Sequence, residues 1–270
     1  MKRKPAVAGY FYPRKAEDLR GMIADMVDLK MEKEKEKAIS LVSPHAGFEY
    51  SGPVAGAVFS SAKLPEIFVI LGPSHRNMDS RFALIKEGLW ETPLGDIPLE
   101  SDLAEFIMRR SPLISEDEMA HRNEHSLEVQ LPFIQFFKKT FSIVPICISP
   151  YVSYEELEEL GKAISSGIKE FNKDVLIVAS TDMSHYVSQK EAQKKDFLAI
   201  EKVLKLDAKG LYDTVQRENI SMCGFQPTTA AVIASKELGA QKAELIKYQT
   251  SGDRTGNYSE VVGYAGIRIS

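Results

Sequence analysis

Residues 66–75 of the chain are EIFVILGPSH, an apolar run of strand length that ends directly in glycine, proline, serine and histidine. AISLVS at 38–43 and DVLIVAS at 174–180 have the same form, and each is also followed by polar, turn-forming residues. These runs are too apolar for strands with one solvated face, and amphipathic stretches separate them. Strands buried on both faces and alternating with helices predict an α/β fold, with a central mixed, largely parallel sheet flanked by helices.

The rest of the chain continues this alternation. Further strands are predicted in FALIK (82–86), FSIVPICIS (141–149), AELIKYQ (243–249) and VVGYAGIRI (261–269), and helices at 52–64, 101–111, 125–139, 153–171, 189–205 and 227–238. Pro132 is expected to bend its helix, and Pro227 to lie in the first turn of the last one. The charge-alternating run 31–37 predicts a solvent-facing helix end or connection.

Length and composition restrict the class of protein. The 270 residues contain no linker-like stretch, which favours one continuous domain over residues 1–270. A formal net charge of −4 disfavours nucleic acid and anionic membrane surfaces as partners. No apolar run approaches the roughly 18 residues of a membrane span. Two cysteines cannot form a disulfide framework, so we expect an intracellular, cytoplasmic protein.

Three of the five histidines follow predicted strands or the turns after them: His45, His75 and His185. In open α/β sheets the carboxyl ends of the strands line the ligand crevice, so these positions are expected to converge on one site. A single histidine after a strand is more often an ordinary loop residue; three together favour convergence. Asp182 precedes His185 by three residues, a spacing at which a carboxylate could orient the imidazole and fix its tautomer.

The two cysteines are expected to differ. Cys223 lies in SMCGFQPTTAAV, directly before a predicted helix whose N-terminal amides favour a thiolate, the form that binds metals. Cys147 lies inside the apolar VPICI and is expected to be a buried strand residue.

HRNEHSLE contains another candidate arrangement. His121, Glu124 and His125 form the H-x-x-E-H pattern of one class of zinc peptidases, in which two histidines share a helix face. Asn123 and Glu124 also suit a helix start, which would leave His121 outside the helix and remove that geometry.

Seven blocks of sequence occur in order between Pro5 and Gly266: PAVAGYFYP, SPHAGFEYSGPVAG, LGPSH, HRNEHSLEVQLPF, STDMSHY, CGFQP and SGDRTGNYSEVVGYAG. Together they resemble the Memo family, named for a mediator of cell motility and called protein B of the AmmeMemoRadiSam gene cluster in prokaryotes. That family is similar in fold to the class III, LigB-type extradiol dioxygenases, non-haem iron enzymes that open catechol rings. The resemblance therefore implies a LigB-like fold and a pocket of related chemistry.

The dioxygenases hold iron with two histidines and a glutamate, and another histidine acts as acid and base. By resemblance, His45 and His75 match the histidine ligands, His185 matches the acid/base histidine, and His125 faces the pocket. Cys223 stands where the glutamate ligand is expected. A thiolate is softer than a carboxylate and also accepts copper or zinc, which separates this ligand set from that of the ring-cleaving enzymes.

These resemblances complete the expected site. The expected metal ligands are His45, His75 and Cys223, and the expected catalytic residues are His185, Asp182 and His125. The cofactor is expected to be a transition metal, Fe(II) in the first place, with Cu and Zn as alternatives. The expected function is a metal-dependent oxidoreductase that acts on an unidentified substrate. The alternative is a non-catalytic module that uses the same pocket to bind a small molecule, a phosphopeptide or another partner.

Overall fold

The structure is a computed structural model that describes residues 2–27, 35–76 and 78–270. Its strands are β1 Lys2–Arg3, β2 Glu36–Lys37, β3 Ser40–Ser43, β4 Ala62–Lys63, β5 Ile67–Pro73, β6 Phe82–Leu84, β7 Leu89–Thr92, β8 Gly95–Pro98, β9 Ile114–Glu116, β10 Ser142–Ile148, β11 Leu176–Ser180, β12 His185–Val187, β13 Ala243–Thr250 and β14 Val261–Ile269. Its helices are α1 Ala16–Ala24, α2 Phe48–Ser60, α3 Ser101–Met108, α4 Glu118–Arg122, α5 Leu131–Phe137, α6 Tyr154–Phe171, α7 Gln189–Leu204, α8 Ala208–Arg217, α9 Phe225–Glu237 and α10 Gly252–Thr255. Of the run 31–37, residues 31–34 lie outside the described residues, and Glu36–Lys37 form β2.

The main sheet has the order β12-β14-β3-β11-β5-β10-β6-β9, with β13 also paired to β14. Its centre is parallel: β3 pairs with β11, β11 with β5, and β5 with β10 in that sense. β14 and β6 add antiparallel strands on either side of this centre. The predicted mixed, largely parallel α/β sheet is therefore confirmed.

Helices cover both faces of the sheet. On β5, Ile67, Val69 and Leu71 pack into one hydrophobic cluster with α3, α6 and α9, whereas Phe68 and Ile70 pack into a second cluster with α1, α2 and α5. Each such side chain contributes about 1.5 to 3 kcal/mol to folding when it is fully buried. This two-sided burial explains why the strand sequences are continuously apolar. Among the described helices, none is both long and apolar enough to cross a bilayer.

Both prolines lie in the first turn of a helix, although this was expected only for Pro227. Pro227 lies in the first turn of α9, as expected. The expectation of a bent helix at Pro132 is wrong: a 3-10 turn at Glu128–Gln130 precedes α5, which begins at Leu131 and has Pro132 in its first turn. Proline is tolerated there because the first amides of a helix have no partner within it. The shorter helix leaves residues 123–127 as a loop that faces the strand ends.

Candidate functional site

The candidate site lies at the carboxyl edge of three neighbouring parallel strands. His45 follows β3, Asp182 follows β11 and His75 follows β5. The ring centroids of His45 and His75 are 5.2 Å apart. His125 enters from the loop after α4, with its ring centroid 5.5 Å from that of His45 and 4.5 Å from that of His75. Cys223 lies just before α9, and its Sγ is 3.2 Å from His45 Nε2.

Hydrogen bonds at Ser180 determine which nitrogen of His45 carries the proton. The Ser180 hydroxyl donates to the backbone oxygen of Ser126 at 2.6 Å and accepts from Gln130 Nε2 at 2.8 Å. A hydroxyl donates only one proton, so its 2.9 Å contact with His45 Nδ1 needs the imidazole as the donor. Burial, together with the nearby His75, holds the pKa of His45 well below its usual value. The ring is therefore neutral, and Nε2 carries the lone pair that faces Cys223.

Glu124 holds His75 in the same tautomer. Its Oε1 accepts from His75 Nδ1 at 2.9 Å and from the backbone amides of His125 and Ser126 at 2.8 Å each, and its Oε2 accepts from the His75 amide at 2.6 Å. Burial opposes ionisation, but the side-chain and backbone hydrogen bonds from His75 hold the pKa of Glu124 below its usual range. A carboxylate only accepts, so Nδ1 of His75 carries a proton, and in the neutral tautomer the lone pair is therefore on Nε2.

The helix start was expected to favour a thiolate at Cys223. In the metal-free protein this prediction is wrong. Burial first, and the Asp182 carboxyl second, raise the pKa of the Cys223 thiol. The amide of Asp182 donates to Sγ at 3.2 Å, which favours the thiolate but does not outweigh desolvation. The sulfur is therefore a thiol at neutral pH unless a cation beside it lowers the pKa. Cys147 is completely buried in β10, as predicted.

Asp182 and His185 do not form the pair that their spacing indicated. Asp182 Oδ1 accepts instead from the amides of His45 and Ala46, at 2.8 and 3.3 Å. Burial raises the pKa of Asp182 to about 6, although these hydrogen bonds oppose the shift. His185 Nδ1 donates to the backbone oxygen of Ser221 at 2.8 Å, which leaves its Nε2 with the lone pair. A backbone carbonyl, not the carboxylate, orients this histidine.

The H-x-x-E-H residues do not share a helix. α4 ends before Glu124, and His121 is fully buried with its Nε2 donating to the backbone oxygen of Ala83 at 3.0 Å. His125 instead stacks on His75, and burial lowers its pKa to about 4. His121 is thus a core residue, and the zinc-peptidase geometry is not formed.

Among the described residues, three groups of side chains have ligand atoms within 4.8 Å of one another: His45, His75 and Cys223; Asp182, His185 and Cys223; and His75, Glu124 and His125. The first group suits a transition metal, because it combines a sulfur with two imidazoles whose Nδ1 atoms are hydrogen-bonded elsewhere, so that Nε2 is the ligand atom of each. In the third group, the Glu124 oxygens already accept four hydrogen bonds, so that group is the least suited to an ion.

Sequence reasoning did not identify Ser180 and Gln130 as site residues, and it considered Glu124 only within a peptidase pattern. Gln130 is completely buried and its Nε2 also donates to the Pro44 backbone at 2.9 Å, so it ties the loop before His45 to Ser180. The one sequence signal was the position of Ser180 at the end of an apolar strand. Nothing local in the sequence predicts that Glu124 meets His75.

The size of a cavity does not locate this chemistry. A cavity of about 450 Å³ is lined by, among others, Arg20, Phe136 and Lys138, and it contains none of the site residues. The site is recognised by its convergent polar atoms instead.

Comparisons with known proteins agree with the sequence blocks. A family described as Memo-like protein matches residues 3–268. A MEMO1 family protein of Methanopyrus kandleri is 42% identical over 279 residues, covering 99% of this chain and 98% of that protein. MEMO1 family proteins of Methanocaldococcus jannaschii and Aquifex aeolicus are each 41% identical, covering 97% of both chains and 98% of both chains respectively. An uncharacterized protein from Escherichia coli K12 has a similar fold: its crystal structure matches 87% of this chain and 100% of its own, with a TM-score of 0.56 and 12% identity.

Proposed function

The chain belongs to the Memo-like protein family, and from that premise we propose that it is a metal-dependent oxidoreductase related to extradiol dioxygenases. The observation that carries the proposal is the prearranged donor set. His45, His75 and Cys223 bring their ligand atoms within 4.8 Å of one another, and both imidazoles have Nε2 lone pairs available. Fe(II) is the proposed metal; Cu and Zn also suit imidazole and sulfur donors.

The surrounding residues prepare the ligands. Ser180 and Glu124 hold the Nδ1 protons, which fixes the ring orientation and raises the basicity of each Nε2. A redox-active metal bound there would supply electron transfer to or from a substrate. The buried carboxyl of Asp182 holds the two amides at the end of β3 and thereby the position of His45.

His185 is the proposed general acid and base. Its Nδ1 proton is held by the Ser221 backbone, so Nε2 is the atom that can take a proton from a substrate and return it. Its imidazole nitrogen lies within 4.8 Å of ligand atoms of Cys223 and Asp182. This proximity supports the proposal of a proton acceptor beside the ligand set, in a side chain that is partly accessible to solvent.

Metal affinity should rise with pH. Because the pKa of His45 is lowered, that ligand is already deprotonated at neutral pH, whereas the raised pKa of Cys223 means that its proton must leave on binding. One released proton corresponds to an affinity that increases by up to about tenfold per pH unit. Competition titrations with Zn²⁺ between pH 6 and 8 measure this slope, and Cys147→Ala, which keeps the proposed ligands, should have the same slope as the wild type. A wild-type slope near zero would contradict thiol ligation.

His185→Ala tests the proposed function. We expect the variant to retain bound metal and its melting temperature but to lose oxygen consumption with a panel of catechols, since only the acid/base group is removed. Lys190→Ala, at an exposed position near the start of α7, is the control that should behave like the wild type.

Other outcomes have distinct meanings. Loss of metal from His185→Ala would identify His185 as a ligand, and unchanged oxygen uptake would refute its catalytic role. If the wild type consumes no oxygen with any catechol but binds a ligand saturably after metal removal, the chain is a non-catalytic binding module instead.

A further inference from the structure

Tyr264 is a large buried side chain next to the candidate site. Only 2% of the residue is exposed, yet it belongs to neither hydrophobic cluster. Its neighbour in β14, Gly263, donates to the Ser184 backbone at 2.9 Å and accepts from the Met183 amide at 2.8 Å. Tyr264 therefore lies beside the segment that begins with Asp182.

The Tyr264 hydroxyl has no hydrogen-bond partner among the described residues. The oxygen is also not one of the unpaired side-chain atoms that are sealed from solvent, so it opens onto accessible space. Tyr12 and Tyr248 differ in this respect, because their hydroxyls donate to the carboxylates of Glu128 and Asp196 at 2.5 and 2.7 Å. Buried phenols normally find such a partner, so a free one beside a candidate site is available to a ligand.

Strand pairing holds Tyr264 beside Asp182, because β14 runs antiparallel to the segment 183–187 that follows this carboxyl. Burial first, then the Asp182 carboxyl and the phenols of Tyr50 and Tyr186, raise the pKa of Tyr264, so it keeps its proton and can donate. Tyr186 has a left-handed backbone with φ of 55°, a costly conformation for a bulky residue that is often found at functional sites.

Building on the proposed function, we infer that Tyr264 binds the substrate: its hydroxyl donates a hydrogen bond to an anionic oxygen of a ligand held next to His45 and Cys223. The ligand class is a compound that binds through an oxyanion, such as a phenolate. The backbone amides of His45 and Ala46 already donate to Asp182 Oδ1, so they are not free to bind a ligand. The Tyr264 hydroxyl is a free donor that can hydrogen-bond to a negatively charged ligand oxygen there.

The test compares Tyr264→Phe with the wild type, using 4-nitrocatechol as the probe and its absorbance as the signal. Both proteins are titrated in the Co²⁺-loaded and the metal-free form. We expect Tyr264→Phe to bind the probe about tenfold more weakly, the loss typical of a hydrogen bond to a charged oxygen. Its Co²⁺ affinity should be unchanged and its melting temperature should not fall, because the hydroxyl has no hydrogen-bond partner among the residues that the structure describes.

Tyr248→Phe is the matched control on the neighbouring strand β13. It removes the hydroxyl that donates to the buried Asp196, so it should lower the melting temperature and leave probe affinity unchanged. Equal probe affinity for Tyr264→Phe and the wild type overturns the inference, as does a fall in melting temperature like that of Tyr248→Phe.

Failure of the proposed function gives a separate result. A wild type that binds no Co²⁺ contradicts the metal centre, and the metal-free titration then decides on Tyr264 by the same tenfold criterion. A wild type that binds no probe in either form overturns the inference about Tyr264.

Discussion

Protein purified without oxygen or chelator should contain one transition-metal ion per chain, and Cys223→Ala, His45→Ala and His75→Ala should each remove it. Each substitution deletes one of three donors, and the two that remain do not hold a divalent ion against water. The expected loss of affinity is more than about a hundredfold, since removal of an orienting partner alone costs about 10- to 100-fold. Elemental analysis and competition titration give occupancy and affinity.

Two further variants sharpen this prediction. Cys147→Ala removes the other cysteine, which is buried in β10, and it should retain full metal content. Glu124→Gln keeps the shape of the side chain but no longer requires His75 Nδ1 to be the protonated nitrogen, so we expect an intermediate loss of about 10- to 100-fold. Full occupancy in all three ligand variants would exclude this metal centre.

The strand-end histidines could be predicted from sequence because they depend on a general property of parallel sheets. Each strand is a short apolar run, and a residue that follows such a run lies at the same edge as its counterparts in neighbouring strands. His45 and His75 could therefore be expected to lie near each other before their distance was known.

The partners of these residues could not be predicted, because they depend on loop paths. Asp182 is three residues from His185, but the end of β11 lies beside the end of β3, so its carboxylate meets the amide of His45 instead. Glu124 reaches His75 across 49 positions of sequence through a loop whose path depends on where α5 begins. The protonation of the Cys223 thiol could not be predicted either, because burial, which a local sequence pattern does not reveal, outweighs the amides at a helix start.

The path of the loop at residues 123–127 also depends on a buried ion pair between Arg3 and Glu128, which are far apart in the sequence. Arg3 Nη1 lies 2.7 Å from Glu128 Oε2, and the two side chains are 1% and 0% exposed. Arg3 also donates to the backbone oxygens of His121 and Glu124, at 2.9 and 2.5 Å. On the other side, Glu128 accepts from the amides of Ala6 and Val7. The pair therefore fastens the N-terminal segment to the loop that carries Glu124 and His125.

Glu128→Gln should lower the free energy of unfolding by about 3 to 5 kcal/mol, the usual cost of leaving one charge of a buried pair without its partner. Chemical denaturation of wild type and variant measures the loss. Asp174→Asn is the control: it breaks the Lys37–Asp174 pair, which has a similar length of 2.9 Å but is about three-quarters exposed, and it should change stability little. Arg3→Met should be as damaging as Glu128→Gln, whereas the double variant should lose much less than the sum of the two, because neither charge is then left alone. Losses that simply add would show that Arg3 and Glu128 contribute independently and would contradict the coupled ion pair.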